Sequence, residues 1–264
     1  MVLEIILDPR KAEKFSHILL LSFVYTLVSV FLAIQIFPQQ ASILSIALIT
    51  ILFIPFFQGR FEQEEAKEDI YAERKSGGNI FMRHKSIISI FTAFFLGIVI
   101  ATSFVFIFLP FHDAFSLQSS VLRGLASSPE TDFLRIFLNN TQVMVLMFLF
   151  SVIMGAGAIF ILAWNASVIA VYAGSAVNSL TSSVPLPAAY LVGLPSALGS
   201  IALHGVPEIL AYFIAGLAGG ILSFGIVKEK INSKEFKQIF LDSVAYLATA
   251  EALLAAAGLI EALL

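Results

Sequence analysis

Long apolar blocks with almost no charge divide this sequence, and they constrain its fold more than any other feature. Most are about 17 to 25 residues long, the length an α-helix needs to cross roughly 30 Å of hydrocarbon. Apolar residues make up 59% of the chain and charged residues 12%, a balance typical of membrane proteins. Backbone groups in lipid must pair within the chain, so each block is predicted to be helical. The predicted fold class is therefore all-α, a polytopic transmembrane helical bundle.

Counting positive charges indicates how often the chain crosses, because Lys and Arg stay on the cytoplasmic side. Eight apolar blocks can be delimited, at residues 17–37, 41–57, 87–111, 142–164, 165–179, 187–203, 208–227 and 236–264. With the N-terminus inside and residues 187–203 re-entrant, the Lys and Arg residues divide 13 inside to 2 outside. If all eight blocks crossed, the division would be 9 to 6. The charges predict a multi-pass cell-membrane protein with about seven crossings, one re-entrant segment, a cytoplasmic N-terminus and an outside C-terminus.

A charged stretch separates two apolar parts of the chain. The predicted domains are an N-terminal transmembrane hairpin at 1–58, a cytoplasmic charged loop at 59–86 and a membrane domain at 87–264. The loop is interpreted as a solvated helix ending at Gly77-Gly78, with docking of a partner as the alternative.

Several short motifs in the third part resemble a known family. They are the Asn pair Asn139-Asn140 entering a helix, a glycine-rich segment at 151–174 that contains Asn165, the H-G-x-x-E element at His204, Gly205 and Glu208, and the I-E-A element at 260–262. Together they resemble the stage II sporulation protein M (SpoIIM) family over residues 87–264. The resemblance implies a five-helix membrane domain. The family's namesake works with membrane-associated cell-wall hydrolases in spore formers, which implies protein partners rather than hydrolase activity.

The residues around His204 predict a break in the helix. Gly205 and Pro207 disfavour a continuous helix, and Pro207 suits the first turn of the next one. His204 is therefore expected on a non-helical corner, with Glu208 in the first helical turn, where the helix dipole favours a carboxylate. The alternative is an ordinary capped helix start, with His204 bonded to the backbone.

Two acids of the last apolar block are further candidates. Glu251 and Glu261 are ten residues apart, about 15 Å along a helix. Glu261 is expected at the outer interface and Glu251 near mid-membrane, where a charge costs several kcal/mol unless it is paired or protonated. Each is interpreted as an ion or proton ligand. The alternatives are a neutral acid hydrogen-bonded to another helix, or a last helix that lies partly outside the bilayer.

These residues together suggest one outward-facing ion-binding pocket, with His204, Glu208 and Glu261 as cation ligands. Asn140, Asn165 and Glu251 complete the predicted pocket, although short amides at helix ends are more often caps or interhelical contacts. The sequence suggests no cofactor other than a bound cation.

The motifs of common enzymes do not occur: there is no nucleotide-binding loop, serine nucleophile motif or H-E-x-x-H helix. The sequence therefore predicts a protein that is not an enzyme. The sequence is compatible with a small ion channel or transporter, with a non-enzymatic scaffold that docks partner proteins, and with an intramembrane hydrolase; we predict the first, with the scaffold as the alternative. The expected partners are the lipid bilayer, ions, other membrane proteins and a second copy of the chain, and not nucleic acid.

Overall fold

The computed structural model describes residues 14–74, 80–127 and 132–263, and no strand occurs within these ranges. Its α-helices are α1 Phe15–Ile36, α2 Ala41–Arg74, α3 Ile80–Arg83, α4 Lys85–Phe108, α5 Ser116–Ser127, α6 Phe133–Met154, α7 Ala158–Leu180, α8 Leu186–Lys228 and α9 Lys234–Leu263. Short 3-10 helices at Pro38–Gln40 and His112–Phe115 precede α2 and α5. All the helices except α3 and α5 are long and apolar enough to cross a membrane, which makes seven among the described residues. The predicted polytopic helical bundle is confirmed.

The predicted re-entrant segment at 187–203 is wrong, because α8 runs without interruption through 43 residues. His204 and Glu208 accordingly lie inside a helix, neither on a corner nor in a first turn. Proline removes one backbone hydrogen bond, a loss that helices within membranes tolerate, whereas an open turn at the same depth would leave several groups unpaired. Pro207 therefore does not end the helix.

The break between the fourth and fifth blocks also lies elsewhere than predicted. The turn falls at Gly155, whose φ of 71° is disfavoured for residues with a Cβ, and α7 begins at Ala158. Asn165 is therefore inside α7, and Asn140 is inside α6 rather than at its start. Asp132 caps α6 by accepting a hydrogen bond from the Leu134 N–H at 3.2 Å. The predicted joint at 77–78 lies outside the described residues.

The chain divides into two compact units that each draw on several separate segments. Unit 1 comprises Met1–Leu52, Thr92–Glu130 and Leu162–Leu203. Its apolar core includes Val30, Phe106, Phe115 and Val171, all nearly inaccessible to solvent. A Cβ added at Gly97 of α4 would come within 2.7 Å of the Leu19 carbonyl oxygen of α1, so glycine permits these two helices to pack closely.

Unit 2 comprises Phe53–Phe91, Thr131–Ile161 and His204–Leu264. Its core contains a run of stacked aromatic rings, in which Phe91 lies 5.2 Å from both Phe57 and Phe213 between ring centroids. The second half of α2 is thus part of the same core as α8. The segments of the two units alternate along the chain.

Candidate functional site

Unit 2 carries a row of polar side chains along one face of α8. His204, Glu208 and Tyr212 follow at intervals of four residues, which places them on one side of the helix. The Tyr212 hydroxyl donates a hydrogen bond to Glu208 Oε1 at 2.8 Å, and Tyr212 is almost completely buried. The Nδ1 atom of His204 is buried and has no hydrogen-bond partner among the described residues.

Glu261 joins this row from α9. It follows the buried face of that helix, four residues after Ala257, and lies close enough to interact electrostatically with Glu208 and Tyr212. Within the described part of the chain, neither acid forms an ion pair with Lys or Arg. The structure therefore brings together two of the predicted site residues and a tyrosine hydroxyl, with no Lys or Arg counterion among the residues it describes.

The predicted three-ligand metal site is not formed. No three His, Asp or Glu side chains come together as metal ligands in residues 14–74, 80–127 and 132–263. The prediction placed His204 and Glu208 at a break between two helices, at the same depth as Glu261 near the end of the last helix. In the structure His204 and Glu208 are one turn apart on a continuous helix, and His204 Nδ1 contacts neither acid.

Glu251 occupies a separate position on α9, facing α6. Its Oε1 accepts a hydrogen bond from the Thr141 hydroxyl at 2.9 Å, as the alternative of an acid bonded to another helix predicted. Its Oε2 is buried without a partner among the described residues, and an unpaired buried acceptor costs about 1 to 3 kcal/mol. Glu251 therefore has the capacity to accept one more hydrogen bond.

The two asparagines are placed differently from each other. Asn140 belongs to unit 2 and lies on the buried face of α6 with Met144 and Ser151, 8% exposed. Asn165 belongs to unit 1, whereas the other predicted site residues belong to unit 2. The candidate site described here therefore does not include Asn165.

Sequence reasoning missed a second polar cluster at the charged end of unit 2. His84 is fully buried, with Nδ1 2.7 Å from Glu64 Oε2 and Nε2 2.9 Å from the Tyr246 hydroxyl. The neighbouring Lys228 bonds to Glu65, which is 2% exposed. The segment around Glu64 was predicted to be a solvated face, which is wrong for these two acids because they pair with residues distant in sequence.

A comparison with protein families bears on the identity of the chain. The model of SpoIIM, described as stage II sporulation protein M, matches residues 90–264. The chain belongs to the SpoIIM family. No curated protein and no solved structure matches it. The family assignment made from the sequence motifs is confirmed.

The two polar clusters of unit 2 differ in their relation to the residues that match SpoIIM. His204, Glu208 and Glu261, which carry the family motifs, lie within the matched residues. Glu64 and His84 precede the matched residues, although they bond to Tyr246 inside them. The only signal in the sequence for this cluster was a histidine directly before an apolar block.

Proposed function

We propose that this SpoIIM-family protein moves cations across the membrane through unit 2, with Glu208 and Glu261 holding the cargo. The observation that supports the proposal is the partly buried Glu208, which bonds to Tyr212 and has a second acid nearby, with no Lys or Arg counterion among the described residues. The proposal includes no chemical reaction, in keeping with the expectation that the protein is not an enzyme.

The electrostatics of the site favour this function over a purely structural role. Charged side chains within membrane helices are costly, and they are found mainly where they pair, line a pathway or bind an ion. Two neighbouring carboxylates repel each other when both are charged, so a bound cation or proton stabilises the pair. A structural role would not require the second acid, since Tyr212 alone satisfies Glu208 Oε1.

Cation flux in proteoliposomes tests the proposal. Wild-type protein should carry cations, and Glu208→Gln should reduce that flux by about tenfold or more, because the amide keeps an acceptor for Tyr212 but holds no charge. Glu235→Gln is the matched control, because Glu235 is an exposed acid in the first turn of α9. Wild-type flux equal to that of protein-free liposomes, from protein that elutes as a single species, would contradict the proposal.

A non-enzymatic scaffold remains the alternative function, and the exposed face of α6 favours it. This face is rich in large apolar side chains available to lipid or to a partner helix, namely Leu134, Leu138, Val145, Leu146, Leu149, Phe150 and Ile153. On this alternative the folded protein carries no flux, and substitutions on the α6 face disturb function while Glu208→Gln does not.

The proposed orientation has the N-terminus in the cytoplasm and the C-terminus outside, as the charge division predicts. The chain has no cysteine, so single engineered cysteines report position directly. An impermeant maleimide added to intact cells should label Ser120→Cys, whereas Lys230→Cys should react only after permeabilisation. Both positions are exposed, so burial does not confound the result. Labelling of Lys230→Cys in intact cells would contradict the proposed orientation and indicate the opposite one.

A further inference from the structure

We infer that the cargo is a proton, passed along a ladder of side chains that runs through unit 2 from the Glu64–His84–Tyr246 cluster to Glu208 and Glu261. This inference rests on the proposed function and names the substrate of the same site. It also assigns a role to the buried cluster at the charged end, which lies outside the site proposed above. We call this series of groups the proton ladder.

The first part of the proton ladder is continuous. Glu64 contacts His84 Nδ1 at 2.7 Å, and His84 Nε2 contacts the Tyr246 hydroxyl at 2.9 Å. Imidazole accepts a proton on one nitrogen while it releases one from the other, and so can relay a proton between two partners. The three residues come from α2, the residue before α4, and α9. The contacts thus join three segments of unit 2 at one proton-transfer point.

The register of α8 and α9 fixes the heights of the remaining groups. The Ser243 hydroxyl donates to the Ala218 carbonyl oxygen at 3.2 Å, and a Cβ added at Gly225 would contact Ile239. The residue numbers change in opposite directions between these two contacts, so the helices are antiparallel. Each residue along either helix adds about 1.5 Å to the distance from this shared level.

The heights show a series of groups along the two facing surfaces. Heights are measured along the helix axes from Ser243 toward the C-terminus of α9. On this scale the Cα atoms of Tyr246 and Tyr212 lie about 5 Å and 9 Å above Ser243. Those of Glu208 and Glu261 lie about 15 Å and 27 Å higher. Helix side chains lean toward their own N-terminus, so Glu208 and Glu261, on antiparallel helices, lean toward each other. Their electrostatic interaction agrees with this geometry.

The two tyrosine hydroxyls bond to different partners, that of Tyr246 to His84 and that of Tyr212 to Glu208, so they do not bond to each other in this arrangement. The Cα atom of Glu251 lies about 12 Å above Ser243, within this part of unit 2. Its buried Oε2 has no partner among the described residues and is therefore a ready acceptor for a water molecule or a proton. Water is the carrier that the inference requires here.

The groups suit protons better than metal ions. Carboxylates, imidazole and tyrosine hydroxyls all gain and release protons, whereas a metal site wants several ligands around one point. In the described ranges no three His, Asp or Glu side chains converge in that way. His204, one turn from Glu208, also has a buried Nδ1 with no hydrogen-bond partner in the part of the chain that the structure describes.

Each transfer is a balanced proton exchange. Tyr212 passes its hydroxyl proton to the Glu208 carboxylate while a protonated water returns a proton to the Tyr212 oxygen, so one O–H bond breaks as another forms. Glu208 then releases its proton to the Glu261 carboxylate, which restores the starting state of Tyr212 and Glu208, and no electron moves.

Removing single hydroxyls from the proton ladder tests the inference, because phenylalanine keeps the ring and its packing. Tyr212→Phe and Tyr246→Phe should each reduce proton flux, read with an internal pH-sensitive dye, by about tenfold or more. Tyr172→Phe is the matched control, since it removes a tyrosine–serine hydrogen bond in unit 1. Thermal unfolding of each variant checks that the fold is kept.

The outcomes separate the inference from the proposed function. Wild-type protein that carries Na⁺ or K⁺ but not protons would overturn the inference and leave cation transport standing. Proton flux that is unchanged in either tyrosine variant would also overturn it. No flux of any cation from folded protein would instead overturn the proposed function.

Discussion

Leucine in place of Gly219 should destabilise the folded protein by about 3 kcal/mol or more, the upper part of the range for overpacked cores. Gly219 of α8 packs directly against α6. A Cβ added there would lie 2.5 Å from the Phe148 carbonyl oxygen and 2.6 Å from the Ser151 Cβ. The first of these neighbours is backbone, which moves only if the two helices separate. An unfolding titration with sodium dodecyl sulfate in mixed micelles measures the loss.

Gly199 provides the control on the same helix. A Cβ at Gly199 would have no atom within 4 Å, so alanine there meets open space. Because alanine is the better helix former by about 1 kcal/mol, Gly199→Ala should leave stability unchanged or raise it slightly. If Gly219→Leu unfolds at the same detergent fraction as wild type, the close packing of α6 and α8 is incorrect.

Replacing Glu64 by alanine should cost about 3 kcal/mol, between the cost of one unsatisfied buried group and that of a broken buried ion pair. The substitution removes the partner of His84 Nδ1, and His84 is fully buried. Because His84 also bonds to Tyr246 of α9, the contacts of three segments should loosen together. The same unfolding titration gives the free energy, and the near-ultraviolet circular dichroism reports the environment of Tyr246.

Glu62 is the matched control two residues away. It pairs with Lys228 at 3.2 Å, but its side chain is 55% exposed. Exposed ion pairs contribute up to about 1 kcal/mol, so Glu62→Ala should change the unfolding free energy by no more than that. Equal effects of the two substitutions would show that Glu64 and His84 are no more buried than the surface pair.

The candidate site was predicted only in part, for an identifiable reason. Glu208 and Glu261 could be singled out because an acid within an apolar block is unusual in any arrangement. Tyr212 could not, since a tyrosine in a membrane helix is ordinary until its hydroxyl is seen on Glu208. The Glu64–His84 contact was likewise hidden, because it joins residues of a segment that resembles a solvated helix by composition.

Hydropathy and charge along the chain determined the class of the protein. Uncharged blocks of membrane-spanning length specify helices whatever their neighbours are, because lipid offers no partner for the backbone. The family motifs identified the SpoIIM domain, which the matched residues 90–264 confirm. These features depend on residues close together in sequence, so they can be recognised without knowledge of the tertiary structure.

Only the tertiary structure decided which helices are continuous and which polar groups meet. Whether Pro207 ends a helix depends on the packing around it, and α8 continues through it. The pairs His84–Tyr246 and Thr141–Glu251 join segments far apart in sequence. A buried polar group takes whichever partner the packing brings within about 3 Å, and a pattern of residue types along one chain does not specify that partner.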